Sequence, residues 1–205
     1  MSEENIQSLD RVKVSVNNMI EKAEKDPDFG KFKYYVNTTW EGGTLCKNQI
    51  RRAHKLLVDE PAAFGGDDLS ASPVELVLVA LGSCQQIMYS ALASVRDIPL
   101  EECEVTLKAK LDVRGLLGIN ESMNVFPGFS DISYETKLKS SAEKEKLEQL
   151  VEDVENQCPV MDMLTRNVKI NGTTQINGDV FDQKHIDSSD SLLERIISKF
   201  KRKSG

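Results

Sequence analysis

The sequence has no surplus of basic residues and no long uninterrupted hydrophobic run. Lys and Arg number 26 against 33 Asp and Glu, which gives a formal net charge of −7. A negative field repels phosphate backbones, so we expect nucleic acid not to be a partner. No stretch of eighteen consecutive apolar residues occurs, and no basic start followed by an apolar core opens the chain. We therefore expect a soluble, cytoplasmic protein with no membrane partner.

Cysteines and histidines are scarce, which weighs against a disulfide scaffold and against a metal centre. The cysteines stand at positions 46, 84, 103 and 158, and none forms a C-x-x-C motif. The two histidines, His54 and His185, lie far apart along the chain. Two cysteines with one distant histidine make a poor ligand set. With no phosphate-binding or dinucleotide motif either, we predict neither a metal nor a cofactor.

Hydrophobic periodicity in the first half of the chain predicts a helix, a small sheet and a second helix. Apolar residues recur at helical spacing over residues 6–25, and alternation from Phe32 to about Val58 predicts two or three antiparallel strands. The segment Ser72-Pro73-Val74-Glu75 then opens the longest apolar stretch with a capping-box signature. Because this stretch is apolar on nearly every side, we predict a buried helix.

The second half predicts a further sheet, one long helix and two short elements. Alternating residues over 103–113 and 132–138 indicate two strands. We predict that Ser140 and Glu143 cap a helix that carries Cys158 in its last turn and ends at Pro159. A last strand over 168–176 and a short amphipathic helix from Ser191 complete an α+β protein with antiparallel sheets.

Two separated segments carry a resemblance to a known family. One runs from LLVDEPAAFGGDDL through SPVELVLVALGSCQQIMYSALASV to LDVRGLLGI, and the other comprises PGFSDISYETKL, a helix and NQCPVMDML. Together they resemble the OsmC/Ohr family, the osmotically inducible protein C and organic hydroperoxide resistance proteins, over roughly residues 31–176. The VDEP and GG segments make the chain more similar to the OsmC-like branch than to the Ohr branch. We accordingly predict a helical extension over 1–30, an OsmC-like domain over 31–178, and a polar linker with a short helix over 179–205.

The resemblance implies an OsmC-like fold with two long core helices, assembled as an intertwined homodimer whose active sites lie at the subunit interface. It also implies a cysteine-based peroxidase, in which Cys84 is the peroxidatic thiolate and Cys158 the resolving thiol. In the family an Arg and a Glu hold the thiolate. The Ohr-type Glu would fall on Val74 here, and Glu75 lies one position later.

The residues themselves leave alternatives open at each position. A thiol of ordinary pKa is only a few per cent ionised at neutral pH, so a reactive cysteine needs a cation or donors nearby. Arg52 is our candidate cation, predicted on a strand with Arg51 on the opposite face; a solvated surface arginine is the alternative. Glu75 is the second candidate, yet it could serve only as the capping partner of Ser72. Cys84 and Cys158 could themselves be inert core cysteines.

Two functions of different classes follow. The leading hypothesis is a thiol peroxidase of the oxidative stress response, an antioxidant enzyme that reduces organic hydroperoxides or hydrogen peroxide. It passes through a Cys84 sulfenic acid and a Cys84–Cys158 disulfide, which an external dithiol reduces. The alternative is a non-catalytic protein that binds an apolar small molecule, or senses redox state, at the dimer interface. Cys46 and Cys103 are predicted to be inert, and His54 to be a structural or surface histidine.

Overall fold

The computed structural model describes residues 3–119 and 125–181. In chain order the elements are α1 (Glu3–Lys25), β1 (Val36–Gly42), β2 (Leu45–Ile50), β3 (His54–Val58), α2 (Pro73–Val95), β4 (Glu102–Leu111), α3 (Val113–Leu116), β5 (Phe129–Lys139), α4 (Lys144–Gln157), α5 (Pro159–Thr165), β6 (Thr174–Ile176) and β7 (Asp179–Phe181). The mixture of helices with antiparallel sheets confirms the predicted α+β class. The chain divides into two compact units, Met1–Val160 and Met161–Gly205.

The first sheet is an antiparallel meander in the order β1-β2-β3. Gly42 and Gly43 make the first turn at positive φ, a conformation that glycine adopts without steric cost. The second turn, residues 51–53, begins at Arg51 with φ of 54°. The prediction that Arg52 lies on a strand is therefore wrong, because β2 ends at Ile50 and Arg52 lies in the exposed turn.

A buried carboxylate organises the loop between β3 and α2. Asp59 is 2% exposed, and its two oxygens share four donors. Thr44 Oγ1 (2.6 Å) and the Glu60 N–H (2.9 Å) donate to Oδ1, whereas the N–H groups of Asp67 (3.1 Å) and Leu69 (3.2 Å) donate to Oδ2. These bonds, with that from Thr44 largest, hold the pKa of Asp59 below its usual value of 3.8, although burial opposes them. The loop thus enters α2 in a defined path.

α2 begins as the sequence predicts. Ser72 is the N-cap, Pro73 occupies the first turn, and Glu75 Oε2 accepts a hydrogen bond from the Ser72 N–H at 2.7 Å. The helix contacts α1, α4 and β4, which makes it the central element of the first unit. Among the described helices, α2 is the one whose length and composition would suffice to cross a bilayer, a property that core helices also have.

The core of the first unit forms where α2 meets α4 and the β4–β5 hairpin. Its buried members come from α2, the following turn and α4: Tyr89, Ala93, Ile98, Leu150 and Val154. Leu150 and Val154 are fully buried, and burying such a side chain stabilises the fold by roughly 1.5–3 kcal/mol. In β4 and β5, half-buried residues alternate with exposed ones, as the sequence predicts for strands with one face on the core.

Two predicted boundaries are corrected and a third is confirmed. Ser140 does not cap α4; its hydroxyl donates to the Pro99 carbonyl, and Glu143 precedes the helix with no side-chain cap. α4 ends before Pro159 as predicted, and Pro159 begins a further helix, α5. The last strand is shorter than residues 168–176 and pairs as β6 with β7. The helix predicted from Ser191 lies outside the described residues.

Candidate thiol site

Cys84 lies in the middle of α2 and is half-buried. Gly82, one position before Ser83, lets the helix approach the sheet closely: a Cβ at this position would lie 2.7 Å from Cδ1 of Leu107 on β4. Because Gly82 has no side chain, α2 packs tightly on β4. The Cys84 thiol therefore sits on a rigid helix that is held against the sheet.

Cys158 lies at the junction between α4 and α5 and is fully buried. Its backbone is extended, with φ of −69° and ψ of 113°, while its N–H still donates to the Val154 carbonyl at 2.9 Å. A residue before proline disfavours the α conformation, which explains why the helix breaks at Cys158 and a new one begins at Pro159. The predicted placement of Cys158 in the last helical turn is thus off by one position: it is the C-cap.

The two thiols meet within one chain. Both cysteines are free, and the Cys158 thiol lies near enough to the Cys84 sulfur to raise the Cys84 pKa. The backbone N–H of Val160, in the first turn of α5, also lies near the Cys84 sulfur. Burial raises the pKa of Cys84 above its usual value of 9.0; the Val160 N–H lowers it, and Cys158 raises it further. Both thiols are therefore placed to react with each other, but Cys84 is mostly protonated in this environment.

A tyrosine and a glutamate stand next to the thiol pair. The Tyr134 hydroxyl on β5 donates to Glu155 on α4, one turn before Cys158. Burial raises the pKa of Tyr134 to about 12, with Glu155 the next cause and Cys158 a smaller one. Sequence reasoning missed this pair. Two signals could have found it: Tyr134 alternates in phase with the half-buried face of β5, and Glu155 precedes Cys158 by one helical turn.

Within the described part of a single chain, the other two predicted site residues lie in an exposed turn and in the first turn of α2. The causes that set the Cys84 pKa are burial, Val160 and Cys158, and neither Arg52 nor Glu75 is among them. Arg52 is exposed, and it forms no ion pair with any residue in the described ranges. Glu75 accepts hydrogen bonds from the backbone and hydroxyl of Ser72, which lower its pKa. The capping alternative for Glu75 is thus the role that its contacts support.

The two remaining cysteines lie on strands, and one buried amide side chain, that of Gln85, lies next to Cys84 in the sequence. Cys46 on β2 pairs with Trp40 and Val58, and Cys103 on β4 packs against the core, where burial raises its pKa. Gln85, next to Cys84, is 1% exposed, and its Oε1 finds no hydrogen-bond donor within the described part of the chain. The same residues contain no cluster of three His, Cys, Asp or Glu side chains placed to hold a metal ion.

Comparisons with known proteins place this geometry in a family. The OsmC-like protein family matches residues 65–172, which include both thiols. An OsmC-like protein from Mycoplasma pneumoniae has a similar structure, with a TM-score of 0.55, 12% identity, and coverage of 65% of this chain and 88% of the other. An OsmC-like protein of unknown function from Vibrio cholerae gives a TM-score of 0.50 at 12% identity, covering 64% of this chain and 93% of the other. No curated protein sequence matches. At these identities the structures establish the fold, and the family match over more than half of the chain shows that it belongs to the OsmC/Ohr family.

Proposed function

We propose that the protein is a thiol peroxidase that reduces organic hydroperoxides or hydrogen peroxide. The observation that carries the proposal is the proximity of the half-buried Cys84 thiol and the fully buried Cys158 thiol. A partly accessible sulfur can meet a peroxide, and a buried one beside it can trap the oxidised product before further oxidation. Membership of the OsmC/Ohr family supports a redox role for the pair.

The proposed cycle has three steps. The Cys84 thiolate attacks one oxygen of the peroxide bond; the sulfur becomes a sulfenic acid, and the other oxygen leaves, after protonation, as an alcohol or water. The Cys158 thiol then attacks the Cys84 sulfur, and the sulfenic hydroxyl departs as water with the Cys158 proton. An external dithiol reduces the resulting disulfide by thiol–disulfide exchange and is itself oxidised. The cycle uses neither a metal nor a cofactor.

Because burial raises the pKa of Cys84, a positive group beside the sulfur would favour the reactive thiolate. We propose that a homodimer supplies it, with Arg52 of the partner subunit approaching the Cys84 thiolate. Single-chain exposure supports such an assembly: Trp40 on β1 is 72% exposed and Ile87 on α2 is 67% exposed. Large apolar side chains exposed on a sheet and on a central helix are typical of surfaces that another chain covers. A guanidinium within about 4–6 Å would lower the pKa of a thiol.

We further propose that the protein works in the cytoplasm as part of the defence against oxidative stress. The cycle needs thiols that return to the reduced state after each turnover, and the reducing dithiol systems of the cytoplasm provide that.

The decisive experiment is peroxide consumption by purified protein with dithiothreitol as the electron donor. We expect turnover of cumene hydroperoxide or hydrogen peroxide by the native protein and its loss in Cys84→Ser. Cys46→Ser is the matched control, because Cys46 lies on β2 and its replacement should leave turnover unchanged. Turnover that persists in Cys84→Ser would rule out the proposed mechanism.

One observation favours the second candidate, a binding or redox-sensing protein without turnover. Burial and Cys158 both raise the Cys84 pKa, which slows attack on peroxide unless a cation is added. Under this alternative the protein would co-purify with an apolar small molecule, or form the Cys84–Cys158 disulfide once without sustained turnover. Mass spectrometry of the native protein before and after a stoichiometric peroxide dose separates the two functions.

A further inference from the structure

A single side-chain hydrogen bond joins β5 to the end of α4. The Tyr134 hydroxyl donates to the Glu155 carboxylate, and Glu155 precedes Cys158 by one helical turn. Glu155 itself is exposed, while Tyr134 is half-buried on the core face of the sheet. The bond therefore links the well-packed β4–β5 hairpin to the segment that carries the buried thiol.

Tyr134 belongs to the same face of the sheet that supports the other thiol. Its cross-strand partner is Leu107, the residue that packs over Gly82 on α2, just before Cys84. Directly opposite residues of an antiparallel pair project to the same face. Tyr134 also lies close enough to Cys158 for the thiol's charge to contribute to the raised pKa of Tyr134. The cross-strand pair Leu107–Tyr134 therefore adjoins both helices that carry a thiol: Leu107 packs on α2, and Tyr134 bonds to α4.

Closing a disulfide requires a specific geometry of the two sulfurs. They must approach to about 2.05 Å, with a torsion near 90° about the new bond. Cys158 lies at a break between two helices, and its own N–H is bonded to the Val154 carbonyl of α4. A side-chain hydrogen bond one turn earlier adds a second constraint on the position of the Cys158 thiol.

We propose that Tyr134, acting through Glu155, is a positioning residue that holds the Cys158 thiol in line for attack on the oxidised Cys84 sulfur. The step that it assists forms the Cys84–Cys158 bond and releases the sulfenic hydroxyl as water with the Cys158 proton. Tyr134 neither gains nor loses a proton in this step. With peroxide as the oxidant, the inference rests on the proposed function. Formation of the Cys84–Cys158 disulfide by another oxidant tests the positioning role independently of that function.

The experiment compares the rate of disulfide closure in four variants by acid quench and mass spectrometry. Tyr134→Phe and Glu155→Ala remove the hydrogen bond, and Glu155→Gln keeps an oxygen that can accept it. Tyr89→Phe is the matched control, because it removes another buried tyrosine hydroxyl from the same core but leaves the Tyr134–Glu155 bond in place. Each protein is oxidised by hydrogen peroxide and, separately, by diamide. Diamide adds one thiol across its nitrogen–nitrogen double bond and leaves as the hydrazine when the second thiol attacks.

We expect closure to slow about three- to tenfold in Tyr134→Phe and Glu155→Ala, the range that corresponds to loss of one hydrogen bond. Glu155→Gln and Tyr89→Phe should close at close to the native rate. With peroxide, slower closure leaves the Cys84 sulfenic acid exposed for longer, so dimedone should label Cys84 more in Tyr134→Phe than in the native protein. Peroxide consumption in the first turnover should not change.

Several results would overturn the inference. If Tyr134→Phe forms the disulfide with diamide as fast as the native protein does, the positioning role is refuted. If Tyr89→Phe slows closure as much as Tyr134→Phe does, the cause is general loosening of the core, and the positioning role is also refuted. Slowing in Glu155→Gln equal to that in Glu155→Ala would assign the effect to charge instead of the hydrogen bond. If the native protein ignores peroxide but diamide closes the bridge at a Tyr134-dependent rate, the proposed function fails and the positioning role stands. Absence of a Cys84–Cys158 bridge with either oxidant refutes the positioning role.

Discussion

The Cys84 and Cys158 thiols are neighbours within one chain, and they differ in exposure. Cys84 lies in the middle of α2 and is half-buried, whereas Cys158 is fully buried at the junction between α4 and α5. A peroxide can therefore reach the first sulfur more easily than the second. This asymmetry orders the proposed reaction: Cys84 is oxidised first, and Cys158 resolves it.

Replacing Cys158 should separate oxidation from resolution. In Cys158→Ser we expect Cys84 to reduce about one equivalent of peroxide and then to accumulate as a sulfenic acid, because no neighbouring thiol condenses with it. Dimedone labelling of Cys84, read by mass spectrometry, measures that species. Cys103→Ser serves as the control and should still form the bridge. A second and third rapid turnover in Cys158→Ser would show that Cys158 is dispensable.

Removing the Arg52 charge should slow attack on peroxide and move its pH dependence. If Arg52 of the partner subunit lowers the Cys84 pKa, Arg52→Ala raises it, and each unit lowers the thiolate fraction about tenfold at neutral pH. We expect the pH at which the rate is half-maximal to shift upward in Arg52→Ala. Stopped-flow measurement of peroxide consumption from pH 5 to 10 records the shift.

The neighbouring arginine offers a control for the same turn. Arg51 has positive φ, which Asn tolerates well, so Arg51→Asn removes a charge while it preserves the turn. Its pH profile should match that of the native protein. Identical profiles for native protein and Arg52→Ala would exclude Arg52 as the stabilising cation.

A charge on the exposed side of α2 should disrupt the proposed homodimer. Ile87 is 67% exposed in the single chain, and burying a glutamate there against an apolar partner surface is strongly unfavourable. We expect Ile87→Glu to be a folded monomer by analytical ultracentrifugation and Ile87→Leu to remain dimeric. A native protein that sediments as a monomer at all accessible concentrations would contradict the assembly.

The buried Asp59 carboxylate should make stability depend on pH. Its pKa is lowered in the folded state, so its contribution is fully present above the unfolded value of about 3.8 and is lost as pH falls through the folded value. In Asp59→Asn one oxygen becomes an amide N–H₂ that faces two donors, either the Asp67 and Leu69 N–H groups or Thr44 Oγ1 and the Glu60 N–H. We expect this variant to be less stable than the native protein at pH 7, and the difference to shrink below about pH 4.

Urea unfolding between pH 3 and 7 measures the Asp59 effect. Asp68→Asn is the matched control: Asp68 lies in the same loop with positive φ, which asparagine accepts, and its side chain is exposed. The stability of this control should follow the native curve. A gap between Asp59→Asn and native protein that does not vary with pH would show that the Asp59 charge is irrelevant.

The sequence by itself determined the α+β class, the capping box that starts α2, the alternation of β4 and β5 and the identity of the two thiols. Each depends on local information: a side chain that bonds three residues away, or a periodicity that matches a helix or a strand. The family resemblance rests on the same local motifs. The turn at residues 51–53 escaped prediction because no glycine, proline or asparagine marks it.

The tertiary structure alone decided which side chains meet. The proximity of Cys84 and Cys158 depends on how α2 packs against the end of α4, and the Tyr134–Glu155 bond depends on how α4 packs against β5. Neither is encoded within a window of neighbouring residues. The helix break that turns Cys158 into a C-cap arises where Pro159 starts a new helix under the constraint of core packing. Long-range packing, which local propensity does not specify, thus sets the geometry on which the proposed chemistry depends.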